Sequence, residues 1–184
     1  KEFPDILSID AVKCFISLTH AKYFEKLSQY FGSVIKGFFT DEPSFYYACR
    51  KTDGEIKIPY YNGLYDDYKA VTGRCFLDDA HLNIADPSSN KSFWVVYNQL
   101  IGKQMRKAFC DPIAAWCLQH GVHMSGHLMA ESPVVHAVKY NGDIGIVLDG
   151  FTLPGIDEIQ TRTEMEMAEW LTLGTVHRSV QKRK

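Results

Sequence analysis

A chain of 184 residues is long enough for one well-buried domain and too short for two of comfortable size. With 46% hydrophobic and 23% charged residues it has the balance of a globular protein. A net charge of −2 gives no electrostatic basis for gripping nucleic acid or an anionic membrane, and no apolar run reaches bilayer length. Five cysteines, an odd number with no CxxC pair, argue against a disulfide framework. They favour a reducing, cytoplasmic setting without fixing the compartment. Aromatic residues reach 13%; their faces can stack on sugars, although rings fill cores more often.

In chain order, Val12, Phe15, Ile16, Tyr23, Leu27 and Tyr30 predict one amphipathic helix over about 8–31, capped by Ser8 and stopped at Gly32. A short β-type run over 34–40 follows and ends at Asp41-Glu42-Pro43, because Pro43 lacks the N–H that a central strand needs. The stretch at about 50–92 is less regular, with loops at 60–64 and 86–90 and a short helix near 64–71. A long helix then runs from Ser92 towards His120, and Pro112 inside it should kink or split it at a cost of roughly 3 kcal/mol. A second strand is expected over 122–127, ending near Glu131, and a third over 144–149, leading to a turn at 153–157. A helix over 163–180 and a solvated basic tail close the chain.

This order is that of a parallel α/β protein with flanking helices. A complete (β/α)8 barrel needs eight strands and roughly 250 residues. The expectation is therefore a smaller α/β domain or part of such a barrel.

Active sites of parallel α/β folds lie at the carboxyl ends of the strands. All three expected strands lead into acids: Asp41 and Glu42, then Glu131, then Asp149 with Asp157 beyond it. Facing carboxylates are what glycoside hydrolysis requires, one to protonate the leaving oxygen and one to attack or to activate water. Strand-end acids also bond loop N–H groups, and Asp157 could equally cap the next segment. Asp41 and Glu42 are adjacent in an extended segment, so only one of them can face the site. His127, next to the permissive Gly126, could donate to a sugar hydroxyl or to a carboxylate. His120, His123 and His127 span a helix end and a strand, so no metal is expected of them. The sequence holds no P-loop, GxGxxG or GxSxG element, and no cofactor is expected.

The stretch Ile35-Lys36-Gly37-Phe38-Phe39-Thr40-Asp41-Glu42-Pro43-Ser44-Phe45 resembles the fourth barrel strand of bacterial TIM-barrel glycoside hydrolases, grouped loosely with family 2-type and α-L-rhamnosidase-like enzymes. The likeness extends in order through 11–23, 116–121, 125–131 and 153–159. The resemblance implies a partial TIM barrel, with residues 1–184 supplying strands four to six and a long insertion at about 50–92. It implies Glu42 as general acid/base and Glu131 as a catalytic candidate, with Asp41, His127, Asp149 and Asp157 holding a carbohydrate substrate. It also implies that the retaining nucleophile lies beyond Lys184, so that this chain alone is inactive or nearly so. Such a partial barrel would expose sheet edges that a homodimer could cover. The other expectations are a non-catalytic carbohydrate-binding role and a structural α/β module. Which sugar is bound is open in every case.

Overall fold

Three short parallel strands, held against a layer of helices, position every residue of functional interest. The computed structural model describes residues 4–45, 57–86, 88–131 and 134–157, together with Gly174. The helix expected over 163–180 lies outside the described residues, Gly174 excepted.

The first helical stretch is not continuous. It forms α1 (Ile9–Leu18), α2 (His20–Leu27) and a 3-10 turn at Ser28–Tyr30. Ser8 caps α1 as expected, its hydroxyl accepting from the Ala11 N–H at 3.3 Å. The break falls at Thr19, whose hydroxyl donates to the Phe15 carbonyl at 2.6 Å. This back-bonding to the preceding turn is a known cause of helix bending.

Strand β1 (Gly37–Asp41) stops before Pro43, as the missing N–H requires. The chain then passes through α3 (Leu64–Thr72) and α4 (Phe76–Ala85), so the described part of the supposed insertion is mainly helical. Helix α5 (Lys91–Met105) and α6 (Asp111–Gln119) are joined by a π-helical turn at Arg106–Cys110. Pro112 sits in the first turn of α6, where a missing N–H costs little. The wider turn before it absorbs the disruption expected of a proline inside one long helix.

Strand β2 (His123–His127) follows α6 and pairs in parallel with β1, Gly37 opposite His123 and Asp41 opposite His127. After α7 (Val134–Asn141), the run expected to be the third strand is instead helix α8 (Ile144–Leu148). Asp143 decides this, its side chain accepting from the Ile146 N–H at 3.1 Å as an N-cap. Gly102 on α5 admits the Asp143 backbone so closely that a Cβ there would lie 2.8 Å from its nitrogen. The third strand is the two-residue β3 (Leu153–Pro154), which pairs with β2 through Ser125 and Gly126. Thr152 fixes that junction, its hydroxyl accepting from the Met124 N–H at 2.6 Å and donating to the Met124 carbonyl at 2.8 Å.

The result is a three-stranded open sheet in the order β1-β2-β3. The partial TIM barrel is thereby corrected. The residues assigned to its sixth strand are helical, β3 is two residues long, and the described strands form an open sheet.

One face of the sheet meets the helices. Phe38 lies 4.3 Å from His20 and 5.9 Å from Trp116, ring centre to ring centre, and Met124 is buried beside it on β2. Burial holds His20 below the usual imidazole range. On the opposite face Phe39 and Leu153 remain exposed. No helix among the described residues is long and apolar enough to cross a membrane.

Candidate functional site

Parallel pairing brings the carboxyl ends of the three strands side by side, and with them polar groups from each. β1 delivers Asp41 and Glu42, β2 delivers His127, and the turn after β3 delivers Asp157. The His127 Nε2 lies 3.1 Å from Asp41 Oδ1, because the two residues are register partners. Phe39, two residues before Asp41 and on the same face, lies 5.6 Å from the His127 ring. A carboxylate oxygen of Glu42, a ring nitrogen of His127 and a carboxylate oxygen of Asp157 all lie within 4.8 Å of one another.

The backbone pays for this convergence with local strain. Among the described residues only Glu42 (φ 49°) and Ala130 (φ 51°) are non-glycine residues with positive φ. Both stand in the loops that leave β1 and β2. Such conformations cost about 1–3 kcal/mol each and persist where the surroundings impose them. Close strand approach depends on Gly126 (φ 146°), where a Cβ would overlap the Thr40 carbonyl oxygen. The Gly155 N–H donates to the Gly126 carbonyl at 2.8 Å and continues the pairing beyond β3. Farther out, the Phe45 N–H donates to the Tyr140 carbonyl at 2.9 Å, and Asn141 Nδ2 donates to the Met129 carbonyl at 2.7 Å. These bonds tie the loops after β1 and β2 to α7.

Glu131 has a different place from the other acids. It is buried, with Oε1 accepting from the Leu128 N–H at 3.2 Å and Oε2 from the Asp157 N–H at 2.8 Å. Burial pushes its carboxyl up from the usual range, and the two amide bonds offset this only in part. Its oxygens hold the loops after β2 and β3 in register, which makes it a positioning group for Asp157.

Asp149 stands apart. It caps the end of α8, four residues before β3 begins, and pairs with Arg106, Nη1 to Oδ2 2.8 Å. Because 144–149 is not a strand, Asp149 is not a strand-end acid.

The three histidines weighed together in the sequence do not converge on one point. His120 stacks on Trp116 with its Nδ1 2.7 Å from the Trp116 carbonyl, His123 is exposed at the start of β2, and His127 is buried at its end. The Asp41–His127 approach was foreseeable only from register, since both are the last residues of adjacent parallel strands. The burial of Glu131 had no signal in the sequence.

A separate open cavity of about 550 Å³ is lined by Arg74, Asp79, Asn83 and Ser89 among others. Its polar groups serve one another: Arg74 pairs with Asp79, Asn83 Nδ2 donates to the Asp79 carbonyl at 2.7 Å, and Ser89 donates to Asn83 Oδ1 at 3.1 Å. The strand ends are therefore the better candidate for chemistry.

No family model matches this chain, and no curated protein or solved structure is significantly similar to it.

Proposed function

We propose that the strand-end cluster is the proton-transfer centre of a glycoside hydrolase that cleaves O-glycosidic bonds, with Glu42 as general acid/base. One observation carries this reading: Glu42 and Asp157 reach to within 4.8 Å of each other and of the buried His127. Glycosidic bond cleavage calls for a carboxyl group that gives a proton to the leaving oxygen and later takes one from water. Glu42 is half-buried and stands on a strained backbone, a conformation that persists where the surroundings impose it. Asp41, His127 and Asp157 offer donors and acceptors for sugar hydroxyls, and exposed Phe39 offers an apolar face beside them.

The spacing also bears on stereochemistry. Inverting pairs stand about 6.5–9.5 Å apart to admit a water, and retaining pairs about 5–5.5 Å apart. The nearest oxygens of Glu42 and Asp157 lie within 4.8 Å of each other, which is nearer the retaining spacing than the inverting one.

With Asp157 as second carboxylate the chain itself is expected to be active, and the test is hydrolysis of a panel of aryl glycosides by it and by its Glu42→Gln variant. The kcat/KM should fall by about 10²–10⁴-fold for poor leaving groups and much less for dinitrophenyl leaving groups, which need no proton to depart. Equal rates in the two proteins would sink the assignment, as would the absence of both cleavage and sugar binding. Sugar binding without turnover that survives Glu42→Gln would assign a carbohydrate-binding role instead.

A further inference from the structure

His127 is about nine-tenths buried, its side chain 10% exposed, and its Nδ1 has no hydrogen-bond partner. A buried polar atom without a partner costs about 1–3 kcal/mol, so its retention calls for a reason. The other ring nitrogen, Nε2, faces Asp41 Oδ1 at 3.1 Å. A carboxylate there favours the proton on Nε2, which leaves the lone pair on Nδ1. An imidazole oriented by a carboxylate at one nitrogen, with its other nitrogen free, is the usual setting of a metal-binding histidine. Two carboxylates, Glu42 and Asp157, already stand within 4.8 Å of that ring.

We propose that Glu42, His127 and Asp157 bind a divalent transition-metal ion of the zinc class, through His127 Nδ1 and one oxygen from each carboxylate. Asp41 orients the imidazole, and Glu131 anchors the main chain of Asp157. The donor set decides the class of ion. Magnesium and calcium favour oxygen donors alone, whereas one imidazole with two carboxylates suits zinc and its neighbours. Three protein ligands leave a fourth position of a tetrahedral ion open to water or substrate.

Bonds of about 2.0–2.2 Å to a tetrahedral ion put its ligand atoms roughly 3.5 Å apart, so the three groups would draw together on binding. Glu42 and Asp157 lie in loops and are not buried, so they can move, while His127 stays fixed at a strand end. The site does not depend on the glycosidase reading. Where Glu42 does transfer a proton, an ion on its carboxylate removes that capacity, and zinc becomes an inhibitor.

The experiment is calorimetric titration of the chelator-treated chain with Zn²⁺ alone. One ion should bind per chain, with affinity at least about tenfold weaker in Asp157→Asn and in His127→Ala. Binding should be unchanged in His123→Ala and in Asp149→Asn, whose side chains lie outside the cluster. Asp157 is exposed, so an unaltered melting temperature in Asp157→Asn keeps the comparison interpretable if His127→Ala fails to fold. No binding by the wild-type chain, or equal binding in wild type and Asp157→Asn, would overturn the proposal. Tighter binding of Mg²⁺ than of Zn²⁺ would do the same. The titration contains no glycoside, so its failure and that of the glycosidase assay are read separately.

Discussion

Glu131 Oε2 accepts the main-chain N–H of Asp157 at 2.8 Å, across 26 residues of sequence. Its second oxygen accepts from Leu128, directly after β2, so one buried side chain sets the spacing between the ends of β2 and β3. The short β3 contributes only two paired residues to this alignment. A buried acceptor that satisfies two amides does what further strand length would otherwise do, and it fixes where Asp157 stands relative to His127.

Glu131→Gln should therefore destabilise the fold by about 1–3 kcal/mol, since the amide nitrogen of Gln cannot accept and one N–H is left unpaired. The effect should also depend on pH. Burial raises the folded-state carboxyl above its ordinary value of 4.5, so the native state holds this proton more tightly than the unfolded chain does. The stabilisation from that proton is complete below the ordinary value and is lost as pH rises through the raised one. Denaturant unfolding across this range should show the wild-type advantage over Glu131→Gln narrowing with rising pH and then levelling. An advantage that grows with pH would contradict the assigned direction.

Gly126→Ala tests the close approach of β1 and β2 at the site. The added Cβ would overlap the Thr40 carbonyl oxygen, and φ of 146° is a conformation that side chains disfavour. Backbone cannot yield as a flexible side chain would, so the loss should be roughly 3 kcal/mol or more. Gly73→Ala is the comparison. It shares the positive φ at 73° but meets nothing within 4 Å, so its cost should be that of the backbone alone. Similar melting temperatures for the two variants would show that the contact between Gly126 and Thr40 adds little to the cost of the backbone conformation.

The parts of the fold written in local chemistry were legible in the sequence. Ser8 caps a helix, Pro43 ends a strand, and the runs before Asp41 and through His127 are parallel strands. Strand-end position singles out Asp41, Glu42 and His127, whereas Asp157 is reached in the sequence only through a supposed strand at 144–149 that is helical. What failed depended on choices that a short window cannot register. The run Ile144-Gly145-Ile146-Val147-Leu148 is too short for periodicity to separate helix from strand, and the Asp143 cap with its packing against Gly102 tipped it to helix. Thr19 broke a helix through one hydroxyl that looked like an ordinary surface residue. Asp149 joins the strand-end acids only if its segment is a strand, and nothing local to Glu131 shows that both of its oxygens accept main-chain N–H groups.

The strain at Glu42 gives a last test, because there stability and function should part. Its φ of 49° lies where a Cβ meets the following carbonyl, a conflict worth about 1–2 kcal/mol for an ordinary residue and absent for glycine. Part of that gain is offset by the greater freedom of glycine in the unfolded chain. Glu42→Gly should therefore match or exceed the wild type in stability, by up to about 1 kcal/mol, while losing whatever proton transfer or ion binding the carboxylate provides. A surface acid held by useful contacts would behave in the opposite way, and its removal would lower the melting temperature. Glu42→Gln keeps the Cβ and the strain, so its stability should stay near that of the wild type while its carboxylate function is lost. A clear gain for Gly, none for Gln, and loss of function in both would mark Glu42 as a residue kept in an unfavourable conformation for what its carboxylate does.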